Sequence, residues 1–137
     1  MSERYLLDTN AVSIAVSRRS DALLQRLQSI PPEQLFVSVI SYGEIEYGLA
    51  RRPEATRLRD TTRKFFGGIE VLSWTTKSAD TYASLRAEME RTGKSLSALD
   101  MLIAAHAVEI NATLVSADRA FRFVPGLTVE DWLADQT

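Results

Sequence analysis

Four acidic residues fall where a carboxylate can do more than face solvent: Asp8, Glu44, Asp100 and Asp118. Asp100 heads the run Met101-Leu-Ile-Ala-Ala-His-Ala-Val108, whose apolar side chains point in every direction around a helical turn. A helix that is apolar all round is a buried helix, so Asp100 sits where a buried helix emerges. Asp118 comes eighteen positions later, behind the turn-and-strand sequence Asn111-Ala-Thr-Leu-Val115. A helix over 98–109 spans roughly 18 Å at about 1.5 Å per residue, and an antiparallel strand behind it returns by about 3.3 Å per residue. The two acids then stand at one height, on one edge of a sheet. An oxygen-only donor set, with no cysteine and no pair of histidines, suits Mg²⁺ or Mn²⁺ rather than zinc. Divalent cations there activate water and stabilise charge on a phosphoryl oxygen.

The elements that must position these acids follow from apolar patterning. Tyr5-Leu-Leu7 is a short buried strand stopped by Asp8-Thr9-Asn10, all good helix caps, with a helix over 11–17 behind them. A second helix over 21–29 ends at Pro31-Pro32, and a buried strand covers 35–40. Ser41-Tyr-Gly-Glu44 opens a helix to position 50, Pro53 suits the first turn of the next, and Gly67-Gly68 ends it. A strand over 69–73 leads to a long helix capped by Thr76 and closed by Gly93, with Ala79, Tyr82, Ala83, Leu85, Ala87 and Met89 inward. The central helix and fourth strand come next. A short turn over 119–123, an edge strand over 127–129 and a helical turn over 130–134 finish the chain. Strands alternating with helices imply right-handed crossovers and a parallel sheet covered on both faces. Ligands then bind beyond the carboxyl ends of the strands, where Asp8, Glu44, Asp100 and Asp118 all arrive.

Each acid has a plainer reading. Asp8 can cap a helix, Ser41-x-x-Glu44 has the form of a capping box, Ser97-x-x-Asp100 resembles one, and Asp118 can be a turn acid. Taken one at a time, the plainer reading is favoured. Together it is not: at an effective dielectric near 20, two carboxylates about 6 Å apart repel by roughly 3 kcal/mol. A helix cap contributes only about 1 kcal/mol. A divalent cation removes the conflict. His106, the single histidine, lies six positions past Asp100 on another face of that helix and is read as structural.

Length and composition bound the rest. The 137 residues suffice for one domain with its own core, and 45% hydrophobic with 25% charged residues is ordinary for a globular protein. No apolar run approaches a membrane span of about 20 residues, and Met1-Ser-Glu-Arg4 enters a strand with no signal-peptide pattern, so a cytoplasmic protein is expected. Net charge is −2, but setting aside the four site acids leaves 16 cations against 14 acids. Thirteen of those cations are arginine, the side chain best shaped to hold phosphate, and six of the 16 lie in 51–64. A solvated helix face explains that segment equally well.

Competing acidic α/β sites fail on particular residues. A P-loop or dinucleotide loop needs glycines after the first strand, where Asp8-Thr9-Asn10 has none. A haloacid-dehalogenase-like phosphatase would carry an acid two residues after Asp8, where Asn10 stands; a receiver domain would want an Asp ending strand three, where Ser73-Trp74 stands. Metal-dependent phosphodiester hydrolysis survives. A phosphohydrolase of small phosphate esters and a non-catalytic binding module are the alternatives.

Tyr5-Leu-Leu-Asp-Thr-Asn10, Ser41-Tyr-Gly-Glu-Ile-Glu-Tyr-Gly-Leu49, Asp100-Met-Leu-Ile-Ala-Ala-His-Ala107, and Ser116-Ala-Asp-Arg-Ala-Phe121 followed by Val124-Pro-Gly-Leu127 together resemble the PIN-domain family. More narrowly they resemble the VapC-type ribonuclease toxins of bacterial toxin–antitoxin modules. The resemblance runs through essentially the whole chain. It implies a three-layer α/β/α PIN-like domain over 1–137, with a central parallel sheet of four to five short strands flanked by helices. It implies an acidic quartet of Asp8, Glu44, Asp100 and Asp118, with Asp8, Asp100 and Asp118 on Mg²⁺ or Mn²⁺ and Glu44 acting through water or on a second ion. Thr9 and Asn10 match the motif and are expected to support the acids. Ser116 keeps the hydroxyl of the threonine found in many relatives, and is expected to support Asp8 or a water on the metal. Further implications are an RNA substrate, a homodimer, and a cognate antitoxin that blocks the site, in a larger toxin–antitoxin complex. Arg51, Arg52, Arg57, Arg119 and Arg122 are the RNA-binding candidates.

Overall fold

The computed structural model describes residues 3–134; Met1 and Ser2 of the N-terminal run lie outside them. Five strands form one parallel sheet: β1 (Tyr5–Leu7), β2 (Leu35–Ser38), β3 (Glu70–Leu72), β4 (Thr113–Val115) and β5 (Val129–Glu130). Six α-helices accompany them: α1 (Thr9–Val16), α2 (Asp21–Ser29), α3 (Val39–Ala50), α4 (Thr56–Gly67), α5 (Thr76–Arg91) and α6 (Ala98–Glu109). The strand order is β3-β2-β1-β4-β5. The chain therefore winds outward from β1 to β3, then crosses back to lay β4 on the other side of β1. That reversal makes the β1–β4 boundary a topological switch point, the place where crossovers diverge and leave a crevice at the strands' carboxyl ends.

Period-two alternation sorts the core. Leu6 and Leu114 face one side with Met89, Met101, Ile103 and Phe121. Tyr5, Leu7, Val37 and Val115 face the other with Val12, Leu23 and Trp132. Helices α5 and α6 pair with each other over the first face. Apolar side chains of α1, α2, α3 and α4 pack over the second. On α6, Ile103, Ala104, Ala105 and Ala107 are fully buried, as the uniformly apolar run requires. No described helix is long and apolar enough to cross a membrane.

Several boundaries differ from the sequence reading. Strand β2 stops at Ser38 and α3 begins at once, because the Ser38 hydroxyl accepts the Ile40 N–H (3.1 Å) and caps the helix. The apolar pair Val39-Ile40 belongs to the helix, and Ser41 sits inside its first turn instead of opening it. Helix α1 starts at Thr9, two residues early, since Asp8 is its cap. Pro53 lies in the turn before α4, not in its first turn. On α5, Leu85 and Met89 are buried, but Ala83 and Ala87 face solvent; methyl groups this small fit either side of a helix. The 130–134 stretch is not helical. Thr128 and Glu130 carbonyls instead accept the Leu114 and Ser116 N–H groups (2.8 and 3.0 Å), extending the sheet by β5, and Trp132 packs against Tyr5.

Candidate active site

Asp8 follows β1 and Ser116 follows β4, and the register Leu7↔Val115 places these two residues side by side at the switch point. The Asp8 N–H donates to the Val115 carbonyl (3.1 Å), and its carboxylate accepts the Ala11 N–H (2.7 Å). Asp8 is therefore both a helix cap and a buried acid, 6% exposed. Burial pushes its carboxyl above the usual range; the Ser116 hydroxyl and the Ala11 N–H pull it back, while the charges of Asp100 and Asp118 push it further up. The Ser116 hydroxyl also accepts the Asp118 N–H (3.0 Å), so it stands between the two acids.

Glu44 reaches the same crevice from α3. It lies past the first turn of that helix and caps nothing, so the capping-box reading of Ser41 and Glu44 is overturned. Both are gathered by Thr9 instead, whose hydroxyl lies 2.9 Å from the Ser41 hydroxyl and 3.0 Å from the Glu44 carboxylate. Ser41, fully buried, is a link in positioning Glu44 that its place in the sequence concealed. Asp100 stands in the first turn of α6, half-buried. The Ser97 hydroxyl caps that helix by accepting the Asp100 N–H (3.3 Å), and among the described residues no hydrogen bond runs back from the Asp100 carboxylate. Asp118 is exposed and accepts the Ala120 N–H (2.9 Å), heading the short 3₁₀ helix Arg119–Phe123.

All four acids, with Thr9 and the exposed Asn10, line one groove of about 900 Å³. Among the described residues no three of them are already closed into a metal-holding group, and mutual repulsion favours that open arrangement. The donors fit a hard divalent cation: every one is a carboxylate oxygen, and positive charge would relieve the buried Asp8. His106 lies outside the groove. It is buried between α6 and the start of α3, with Nδ1 2.8 Å from the Ser38 hydroxyl, and burial holds its imidazole below the ordinary value. Of the arginines proposed for RNA, Arg51 and Arg52 line the groove, whereas Arg57, Arg119 and Arg122 do not. Arg19, which apolar patterning gave no reason to single out, lines it too.

A parallel α/β domain with a carboxylate-lined groove at its switch point offers oxygen donors where ligands of such folds bind. The PIN domain family matches residues 5–127. Ribonuclease VapC2 of Haemophilus influenzae is 30% identical over 131 residues, covering 95% of this chain and 98% of that protein. The tRNA(fMet)-specific endonuclease VapC of Salmonella typhimurium is 27% identical over 130 residues, covering 94% and 98%. The DNA-bound VapBC structure from Salmonella typhimurium superposes with a TM-score of 0.88 at 26% identity, covering 96% of this chain and 99% of that one. The chain belongs to the PIN-domain family, in its VapC-type ribonuclease branch.

Proposed function

We propose that this protein is a divalent-metal-dependent endoribonuclease, the toxin of a VapBC-type toxin–antitoxin pair, acting in the cytoplasm on structured RNA. The observation that carries the reading is the convergence of Asp8, Glu44, Asp100 and Asp118 on one groove from four separate segments of the chain. Asp8, Asp100 and Asp118 would hold Mg²⁺ or Mn²⁺, with Glu44 reaching it through water. Bound there, such a cation would supply a lowered pKa for water and an offset to charge on the phosphoryl oxygen. Asp8 is oriented by the Ala11 N–H and the Ser116 hydroxyl, and Thr9 fixes the Glu44 carboxylate. Folded RNA displays unpaired bases and backbone that such an open groove can accept. The cognate antitoxin would offer a cation to the same carboxylates, since an arginine pairs with them as a metal does. A homodimer within a larger complex with that antitoxin completes the assembly.

The test uses purified protein and defined RNAs, beginning with tRNA(fMet) because of the Salmonella relative's name. Cleavage is expected with Mg²⁺ or Mn²⁺, none with excess EDTA, and none from Asp8→Asn. Activity retained in EDTA or in Asp8→Asn would refute the mechanism.

A further inference from the structure

The groove has two ends of opposite charge. Helices α1 and α3 both begin at the carboxyl edge of the sheet, behind β1 and β2, and pack together as they run back from it. Asp8 caps α1 and Glu44 lies a turn further along α3, while Asp100 and Asp118 come to the same edge from α6 and from behind β4. Arg19 stands just past the end of α1, Arg51 and Arg52 just past the end of α3, and all three line the groove. The eight residues of α1 set the ends about 12 Å apart at roughly 1.5 Å per residue.

The ordinary role for a cation at a helix C-terminus is to satisfy its last carbonyls. Arg19 is not needed for that. The backbone N–H groups of Ser17, Arg18 and Arg19 donate to the carbonyls of Ser13, Ala15 and Ile14 (3.2, 3.1 and 3.2 Å), and the Ser17 hydroxyl donates to Ser13 as well (2.8 Å). The turn that brings Arg19 to the groove puts Arg18 at φ +56°, a left-handed conformation that a residue with a Cβ adopts only at a cost. The Arg19 Nε donates to the Ser17 hydroxyl (2.7 Å), which fixes the base of the guanidinium. Among the described residues none of the three arginines has a carboxylate partner; Arg51 lies over the Tyr47 ring (5.5 Å to its centre). By contrast, Arg59 and Arg63 of the same basic segment are engaged within the fold, by the Leu49 carbonyl and by Glu46.

Resting on the nuclease reading above, we propose that Arg19, in the same groove as Arg51 and Arg52, is a substrate-positioning residue that holds an RNA phosphate flanking the bond cleaved at the acidic end. Phosphodiesters would be repelled along an uninterrupted acidic groove, so a strand is retained there only if cations hold its neighbouring phosphates.

The experiment measures binding of fluorescent tRNA(fMet) to the cleavage-deficient Asp100→Asn protein across a salt series, with Arg19→Ala, Arg19→Lys and Ser17→Ala added in turn. Arg19→Ala is expected to weaken binding about tenfold. It should also lower the slope of log affinity against log salt by about one. Arg19→Lys should keep the slope, and Ser17→Ala, which frees the guanidinium without removing it, should fall between. Arg91→Ala, an exposed arginine at the end of α5, should change neither quantity. In otherwise wild-type protein, Arg19→Ala should raise KM while leaving kcat within about twofold, the mark of uniform binding. An unchanged salt slope in a protein that still cleaves RNA overturns the assignment of Arg19 and leaves the nuclease reading standing. If Arg19→Ala leaves RNA binding intact but weakens the cognate antitoxin, the arginine end is a protein-docking feature and the proposal is wrong. Wild-type protein that neither binds nor cleaves RNA with Mn²⁺ overturns both readings.

Discussion

Asp100 shows how a helix-terminal acid can be separated from a cap. The Ser97 hydroxyl already caps α6, so Asp100→Asn removes no capping bond. It removes a favourable charge at the helix N-terminus, about 0.3–1 kcal/mol, and with it the repulsion that the Asp100 charge exerts on the buried Asp8. Metal-free Asp100→Asn should therefore melt above wild type, by on the order of 1 kcal/mol or roughly 2–6 °C, while losing cleavage. Divalent metal at about 100 times its dissociation constant should stabilise wild type by roughly 2.7 kcal/mol and the variant by clearly less. Thermal scans of both proteins with EDTA and with Mn²⁺ test this. A metal-free variant that melts below wild type, with no metal shift in either, would return Asp100 to a purely local role.

At the scale of elements, the two helices that carry Glu44 and Asp100 are tied through a group that touches neither acid. His106 on α6 bonds Ser38, and Ser38 caps α3. The imidazole is 1% exposed and is held below its ordinary pKa by burial, opposed weakly by the charge of Glu109. Its folded pKa is thus below the unfolded value of about 6.5, so the unfolded chain binds the proton first as pH falls. The stabilisation is complete above about pH 6.5 and is lost as pH falls through the folded pKa, at up to about 1.4 kcal/mol per pH unit. Urea midpoints from pH 7.5 to 5 should fall more steeply for wild type than for His106→Asn, whose amide can keep the Ser38 bond without titrating. Parallel curves for the two proteins would show that His106 does not titrate across this range.

At the scale of the whole molecule, a net charge of −2 conceals a groove lined by acids at the switch point and also by Arg19, Arg51 and Arg52, which have no carboxylate partner among the described residues. On the reading proposed above, the acids would hold the metal, the arginines would hold phosphate, and a cation of the antitoxin would compete with the metal for the carboxylates. Expression of the chain alone should arrest growth, co-expression of the cognate antitoxin should restore it by direct binding, and Asp100→Asn should be harmless. Growth curves of the three strains decide this; equal arrest by Asp100→Asn would refute the toxin reading.

The sequence by itself determined whatever depends on local periodicity and residue chemistry. The apolar runs of β1, β2 and β4, the buried middle of α6 and the stops at Pro31-Pro32 and Gly67-Gly68 were legible. The arrival of the four acids at one edge was legible too, although Glu44 comes from inside α3 and not from its opening. Tertiary structure alone decided what joins distant segments. Thr9 meets Ser41 across 32 positions and His106 meets Ser38 across 68, so Ser41 read as a cap and His106 had no partner to suggest. Val39-Ile40 looked like strand because apolar β-branched residues suit one, yet the Ser38 hydroxyl offered the Ile40 N–H a helical start. Segment 130–134 looked helical until a free edge of β4 claimed its backbone for β5. Arg19 came to the groove through a left-handed turn at Arg18, a conformation that no apolar pattern announces. Periodicity reports which face of an element is buried; which other element covers that face is fixed only when the sheet order brings them together.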